Sequence, residues 1–99
     1  MWLMFVGILR IDLYMDGNRS LKDKRQTLKS LIHRAKSRFN NISIAEVDSN
    51  DLWQKATIGI CIVSNEKRLV NSVLDQITDF IDSSGIVQMG SRELEIINI

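Results

Sequence analysis

Five cations, Arg19, Lys22, Arg25, Lys29 and Lys36, are spaced to act together on phosphate. They fall in a stretch from Arg19 to Phe39 that holds eight of the thirteen Lys and Arg residues and one of the twelve Asp and Glu residues. The stretch therefore carries +7, and the remainder −6, in a chain of net charge +1. On a helix turning ~100° per residue, with Leu21 at zero, Arg25, Lys36, Lys29 and Lys22 lie at about 40, 60, 80 and 100°. They form a ridge roughly 21 Å long at a rise of ~1.5 Å per residue. Such a row suits a line of phosphates, whose counterions it would release. Arg19 and the backbone of Gly17-Asn18 would add donors at the helix start. Arg34 and Arg38 sit on the other flank. With a single acid among the bases, ion pairs at i,i+4 do not account for the pattern. The alternatives are a solvated helix face, or a surface that neutralises acids elsewhere in the fold or in a neighbouring subunit.

Few other residues are placed for chemistry. Glu46, Asp48 and Asp51 bring three carboxylates together, which in principle suits a hard cation. They lack the glycine-containing spacing of a calcium loop, so beside a basic helix they are expected to serve as counter-charges, with no metal or cofactor. His33 is the one histidine; a His-based metal site or catalytic dyad would lack its second member. It is expected in solvent beside the ridge. Cys61 is the one cysteine. It can form no intramolecular disulfide or Cys-rich metal site, and it fits a reducing compartment. Trp53 is expected to cover the edge of the core. No catalytic residue emerges.

Ninety-nine residues, 44% apolar and 25% charged, describe one soluble globular domain spanning 1–99. A chain of that length buries somewhat more than ~60% of its unfolded surface. The opening run from Met1 to Leu9 is apolar but has no basic leader or small-residue cleavage site, which argues against a signal peptide. Arg10 and Asp12 end it well short of the ~20 residues that span a bilayer. A cytoplasmic protein with no membrane contact is expected.

The elements that must position the ridge follow from periodicity. Leu3 to Tyr14 alternates, with Leu3, Phe5, Gly7, Leu9, Ile11 and Leu13 on one face, and predicts a central strand. Asp16-Gly17-Asn18 signals a turn. Ser20 caps the basic helix, with Asp23 three residues on as in a capping box. Asn40-Asn41 is expected to end the helix in a left-handed C-cap. Ile42 to Val47 and Trp53 to Ser64 predict two more strands around a polar connection. Ser64 or Asn65 would cap a second helix, striped by Leu69, Val70, Val73, Leu74, Ile77, Phe80 and Ile81 and stopped at Gly85. Arg92 to Ile99 predicts the last strand. The order βαββαβ, with right-handed crossovers, gives an α+β ferredoxin-like sandwich: a four-stranded antiparallel sheet with both helices on one face. The other face would expose Met4, Val6, Ile8, Cys61 and Val63, enough clustered apolar surface to predict a homodimer or larger homo-oligomer.

Two segments resemble a known family. Ser20-Leu21-Lys22-Asp23-Lys24-Arg25 is similar to the S-L-K-E-K-R opening of the first helix in the YlxP-like bacterial family. Glu46-Val47-Asp48 and Asp51-Leu52-Trp53-Gln54-Lys55-Ala56-Thr57 resemble its E-V-D and D-L-W-Q-R-A-T segments. Met4-Phe5-Val6-Gly7 and Val63-Ser64-Asn65 also fit, so the resemblance covers nearly the whole chain. Asp23 for Glu and Lys55 for Arg are departures that keep the charge. The resemblance implies a small ferredoxin-like domain of unestablished molecular function, encoded near translation and ribosome-maturation genes. It implies a ribosome-linked role by association, and no catalytic residues.

Two other ferredoxin-like activities fit poorly. RNA-recognition domains read bases with aromatics on the first and third strands, and Thr57 to Val63 has none. Acylphosphatases bind phosphate with an Arg and an Asn after the first strand. Gly17-Asn18-Arg19-Ser20 occupies that loop, but the V-x-G-x-x-F-R pattern is missing. The expectation is thus a non-enzymatic accessory protein that contacts structured RNA or a ribosomal particle through its first helix. The alternative is a homo-oligomeric interaction domain whose basic helix meets acidic protein surface.

Overall fold

The computed structural model describes residues 3–99; Met1 and Trp2, which begin the apolar opening run, lie outside the described residues. Strand β1 (Phe5–Tyr14) turns Gly7, Leu9, Ile11 and Leu13 into the core. It is central, paired antiparallel with β3 (Lys55–Ser64) on one side and β4 (Gln88–Asn98) on the other. Strand β2 (Ser43–Asp48) pairs antiparallel with the outer side of β3, giving the order β2-β3-β1-β4. Helices α1 (Leu21–Arg38) and α2 (Lys67–Asp82) are the crossovers β1→β2 and β3→β4. The predicted ferredoxin-like βαββαβ sandwich is therefore the observed one.

Leu28, Leu31 and Ala35 of α1 and Val70, Leu74, Ile77 and Ile81 of α2 meet Leu9, Ile11, Leu13, Ile58, Ile60 and Ile62 in one core, with Ile32 and Val73 packed at its border. Leu31 has no solvent exposure, which fixes the register of α1. Gly7 permits a close approach: a Cβ there would stand 2.4 Å from Val70 Cγ1 and 2.8 Å from Leu74 Cδ1.

Several boundaries depart from the sequence expectations. Helix α1 does not end in a left-handed Asn. Phe39 is the C-cap, in extended conformation (φ −119°, ψ 108°). Its ring meets Phe80 edge-to-face at 5.9 Å, so a cross-helix aromatic contact accompanies the helix end. The N-cap of α2 is Glu66, without a side-chain cap bond, while Ser64 Oγ accepts from the Glu66 N–H. Leu69 is exposed and outside the buried stripe. Gly85 follows α2 at φ +73°, as a helix stop should. Strand β4 begins four residues before Arg92, because a bulge between Ile11 and Leu13 lets Met89 and Gln88 resume pairing with Leu13 and Tyr14.

Candidate nucleic-acid interface

The start of α1 is tightly built. Ser20 Oγ accepts from the Asp23 N–H at 3.1 Å, and Asp23 Oδ2 accepts from the Arg19 N–H at 2.9 Å. The Asn18 N–H is also taken, by Met15 O at 3.1 Å. Asn18 itself is buried: its Nδ2 donates to Trp53 O at 3.2 Å, and its Oδ1 accepts from Thr27 Oγ1 at 3.4 Å. This corrects one expectation. The N–H groups of Asn18 and Arg19 are spent on the fold, which leaves the exposed Arg19 guanidinium, and not those backbone donors, free at the helix start.

Arg19, Lys22, Arg25, Lys29 and Lys36 are all exposed. Among the described residues the ion pairs are Arg10–Asp48 at 3.7 Å, Lys24–Glu46 at 2.6 Å and Arg92–Asp75 at 2.9 Å. None involves a ridge cation. Arg25, Lys29 and Lys36 stand along one groove of about 870 Å³, with Leu28 and Ile32 as its apolar wall and Glu46 at its far side. Lys22 and Arg19 are not part of that wall. His33, exposed as expected, also borders it. The opposite flank behaves differently. The Arg38 guanidinium carbon lies 5.9 Å from the Phe39 ring centroid and 5.8 Å from that of Phe80, a packing role across the two helices.

One member of the basic stretch leaves the surface altogether. Lys24 is 2% exposed; its ammonium donates to Ser49 O at 2.5 Å and lies 2.6 Å from Glu46 Oε2. Ser49 holds a left-handed backbone (φ 63°), and its N–H bonds Asp48 Oδ1 at 2.7 Å. Two of the three loop carboxylates are thus counter-charges, Glu46 to Lys24 and Asp48 to Arg10, as their proximity to basic residues predicts. Asp51 is exposed on the loop.

The sequence reading of Trp53 needs correction. Its side chain is 53% exposed, next to Leu52 at 47%. Met15 and Ala56, both buried, close that end of the core instead. The backbone beneath Trp53 is pinned by Met15 N–H to Gln54 O (2.9 Å), Leu52 N–H to Ser49 O (3.1 Å), and Gln54 Nε2 to Asp16 O (3.1 Å) and Asn18 O (3.0 Å). Tyr14, Asp16, Asp51, Leu52, Trp53 and Lys55 line a cleft of about 600 Å³ there.

The helix-free sheet face divides in two. Met4, Val6, Ile8, Cys61, Val63 and Ile97 form a mostly apolar end, with Met4, Cys61, Val63 and Ile97 exposed and the exposed Glu95 paired opposite Ile8. Arg10, Asp12, Thr57 and Glu93 form a polar end, where Thr57 Oγ1 donates to Asp12 Oδ1 at 2.7 Å. Among the described residues no helix is long and apolar enough to cross a membrane.

Solved structures place the architecture among ferredoxin-like folds. A de novo designed protein with ferredoxin fold is 11% identical with a TM-score of 0.53, over 92% of this chain and 84% of that one. The NE2512 protein of unknown function from Nitrosomonas europaea is 11% identical with a TM-score of 0.54, over 98% and 89%. At such identities the likeness is one of fold alone. Sequence goes further: residues 6–93 match the model of the protein family of unknown function DUF503, and the chain belongs to that family. The uncharacterized protein YlxP of Bacillus subtilis (strain 168) is 39% identical over 78 residues, 79% of this chain and 84% of that protein.

Proposed function

We propose that the protein is a non-enzymatic accessory module of the cytoplasm that binds structured RNA, as in a ribosomal particle, through the ridge on α1. One observation carries the reading. The fold neutralises Lys24 internally and leaves Arg19, Lys22, Arg25, Lys29 and Lys36 exposed, with no carboxylate partner among the described residues. Cations without internal partners, held on one rigid helix, are the electrostatic footprint of a phosphate backbone. The open sheet is too poor in aromatics for base reading across it, so the ridge reads backbone and shape. An acylphosphatase-like role loses support because Asn18, which would hold the phosphate, has its amide committed to Trp53 and Thr27.

A second reading rests on a different observation. The apolar end of the open sheet face and the exposed Asp75, Asp79 and Asp82 on α2 suit a homo-oligomeric interaction domain, in which basic α1 meets acidic protein surface. Sedimentation of tagged protein with ribosomal particles at two salt concentrations separates the two. Co-sedimentation that falls steeply with salt supports RNA contact. A protein that stays at the top of the gradient at both concentrations, yet self-associates, supports the second reading.

A further inference from the structure

We infer that the cleft beside Trp53 seats one unpaired base of the RNA whose backbone α1 holds. This rests on the RNA reading of the ridge and adds the part of the ligand that enters the protein. Trp53 and Leu52 present adjacent apolar side chains to solvent, although a Trp ring gains most from being covered. Neither serves the core, which Met15 and Ala56 close at that end. The side-chain amides of Asn18 and Gln54 and the Met15 N–H, donating to Trp53 O, Asn18 O and Gln54 O, hold the segment's backbone in place. The backbone that carries the ring is therefore anchored at Trp53 O and at both neighbouring residues.

A second aromatic lines the same cleft. The Tyr14 ring rests on β4 at Gly90, where a Cβ would stand 2.5 Å from Tyr14 Cε2. Lack of a side chain at residue 90 lets the ring lie there. The cleft, about 600 Å³ and widely open to solvent, leaves room for a flat group laid against the rings. Asp16 and Asp51 on its lining repel phosphate, so the sugar-phosphate chain stays outside. Those carboxylates, with Lys55, offer acceptors and a donor to a base edge. Asn18 joins this cleft to the helix: its amide holds Trp53 O, and Arg19 follows it in the chain. Arg19, at the start of the ridge, is thus one residue from the amide that holds the Trp53 carbonyl.

Stacking and charge neutralisation leave different signatures, and salt titration of RNA binding separates them. A labelled hairpin with a single-stranded overhang is the probe. Trp53→Ala should weaken binding by roughly tenfold at every salt concentration, without changing the slope of log affinity against log salt. Trp53→Phe should restore most of it. In Trp2→Phe protein, where Trp53 is the sole Trp, free nucleoside monophosphates should quench its fluorescence. If Trp53→Ala binds RNA like the wild type while glutamine replacements in the ridge flatten the slope, the base site is refuted and the ridge stands. If the wild type binds no RNA at any salt, both fall. Quenching by an arginine-rich peptide and by no nucleotide would also overturn the inference, since it would make the rings a seat for a protein cation.

Discussion

The Lys24–Glu46 pair gives the sharpest test of how α1 is attached to the sheet. Breaking a buried ion pair by removing one partner costs about 3–5 kcal/mol, because the other charge is left uncompensated. The two partners are not equally buried: Lys24 is 2% exposed, whereas the Glu46 side chain is 23% exposed. Lys24→Met leaves Glu46 Oε2, itself buried, without the ammonium beside it, but the rest of that carboxylate reaches solvent, so a loss at the low end, about 3 kcal/mol, is expected. Glu46→Met strands an ammonium whose remaining partner among the described residues is Ser49 O, and the full range, about 3–5 kcal/mol, is expected. The double variant should recover most of the loss, since paired apolar replacement of a buried pair is often neutral or stabilising. For a domain of this size 1 kcal/mol corresponds to about 4–8 °C in Tm. Glu46→Met should then lower Tm by more than ~12 °C, and the double variant by only a few degrees. Calorimetry on the four proteins closes the cycle. Additive single losses in the double variant would refute the pairing.

Two further outcomes follow from packing. Gly7→Ala should cost about 1–3 kcal/mol by overpacking, because Val70 and Leu74 lie where the methyl would go; an unchanged urea midpoint would mean α2 sits farther from β1. Val6→Lys with Val63→Lys places cations in the apolar end of the open face and should shift the mass seen by light scattering towards monomer. A wild type already monomeric at tens of micromolar would remove that interface.

Much of the architecture was legible because its signals were periodic. The alternation in β1 and β3, and the stripe of Leu28, Leu31, Ala35 on α1, specify faces that only one sandwich buries. Lys24 was legible in principle. At about 300° on the same wheel it falls between Leu31 at about 280° and Ala35 at about 320°, inside the stripe. A lysine inside an apolar stripe signals a buried charge that needs a carboxylate, which Glu46 supplies. The Phe39 cap and the exposed Trp53 were not legible. Each depends on a contact distant in sequence, Phe39 with Phe80 and Trp53 O with Asn18, and local turn chemistry carries no trace of either. The five ridge cations lie exposed, three of them along one groove, while the expected donors at Asn18 and Arg19 are occupied by Met15 O and Asp23 Oδ2.

The central claim, that the α1 ridge meets phosphates, is tested most directly by the salt dependence of RNA binding. Each neutralised phosphate adds about 0.7 (single strand) to 0.9 (duplex) to the slope of log affinity against log salt. Lys22, Arg25, Lys29 and Lys36 changed together to Gln should flatten that slope by about three and weaken binding across RNA sequences. All four are exposed and outside the core, so Tm should hardly move. Arg34→Gln, on the other flank, should alter the slope less; Arg38 is unsuitable as a control because it packs on Phe39 and Phe80. A fourfold variant that binds RNA or ribosomal particles with the wild-type slope would contradict the account.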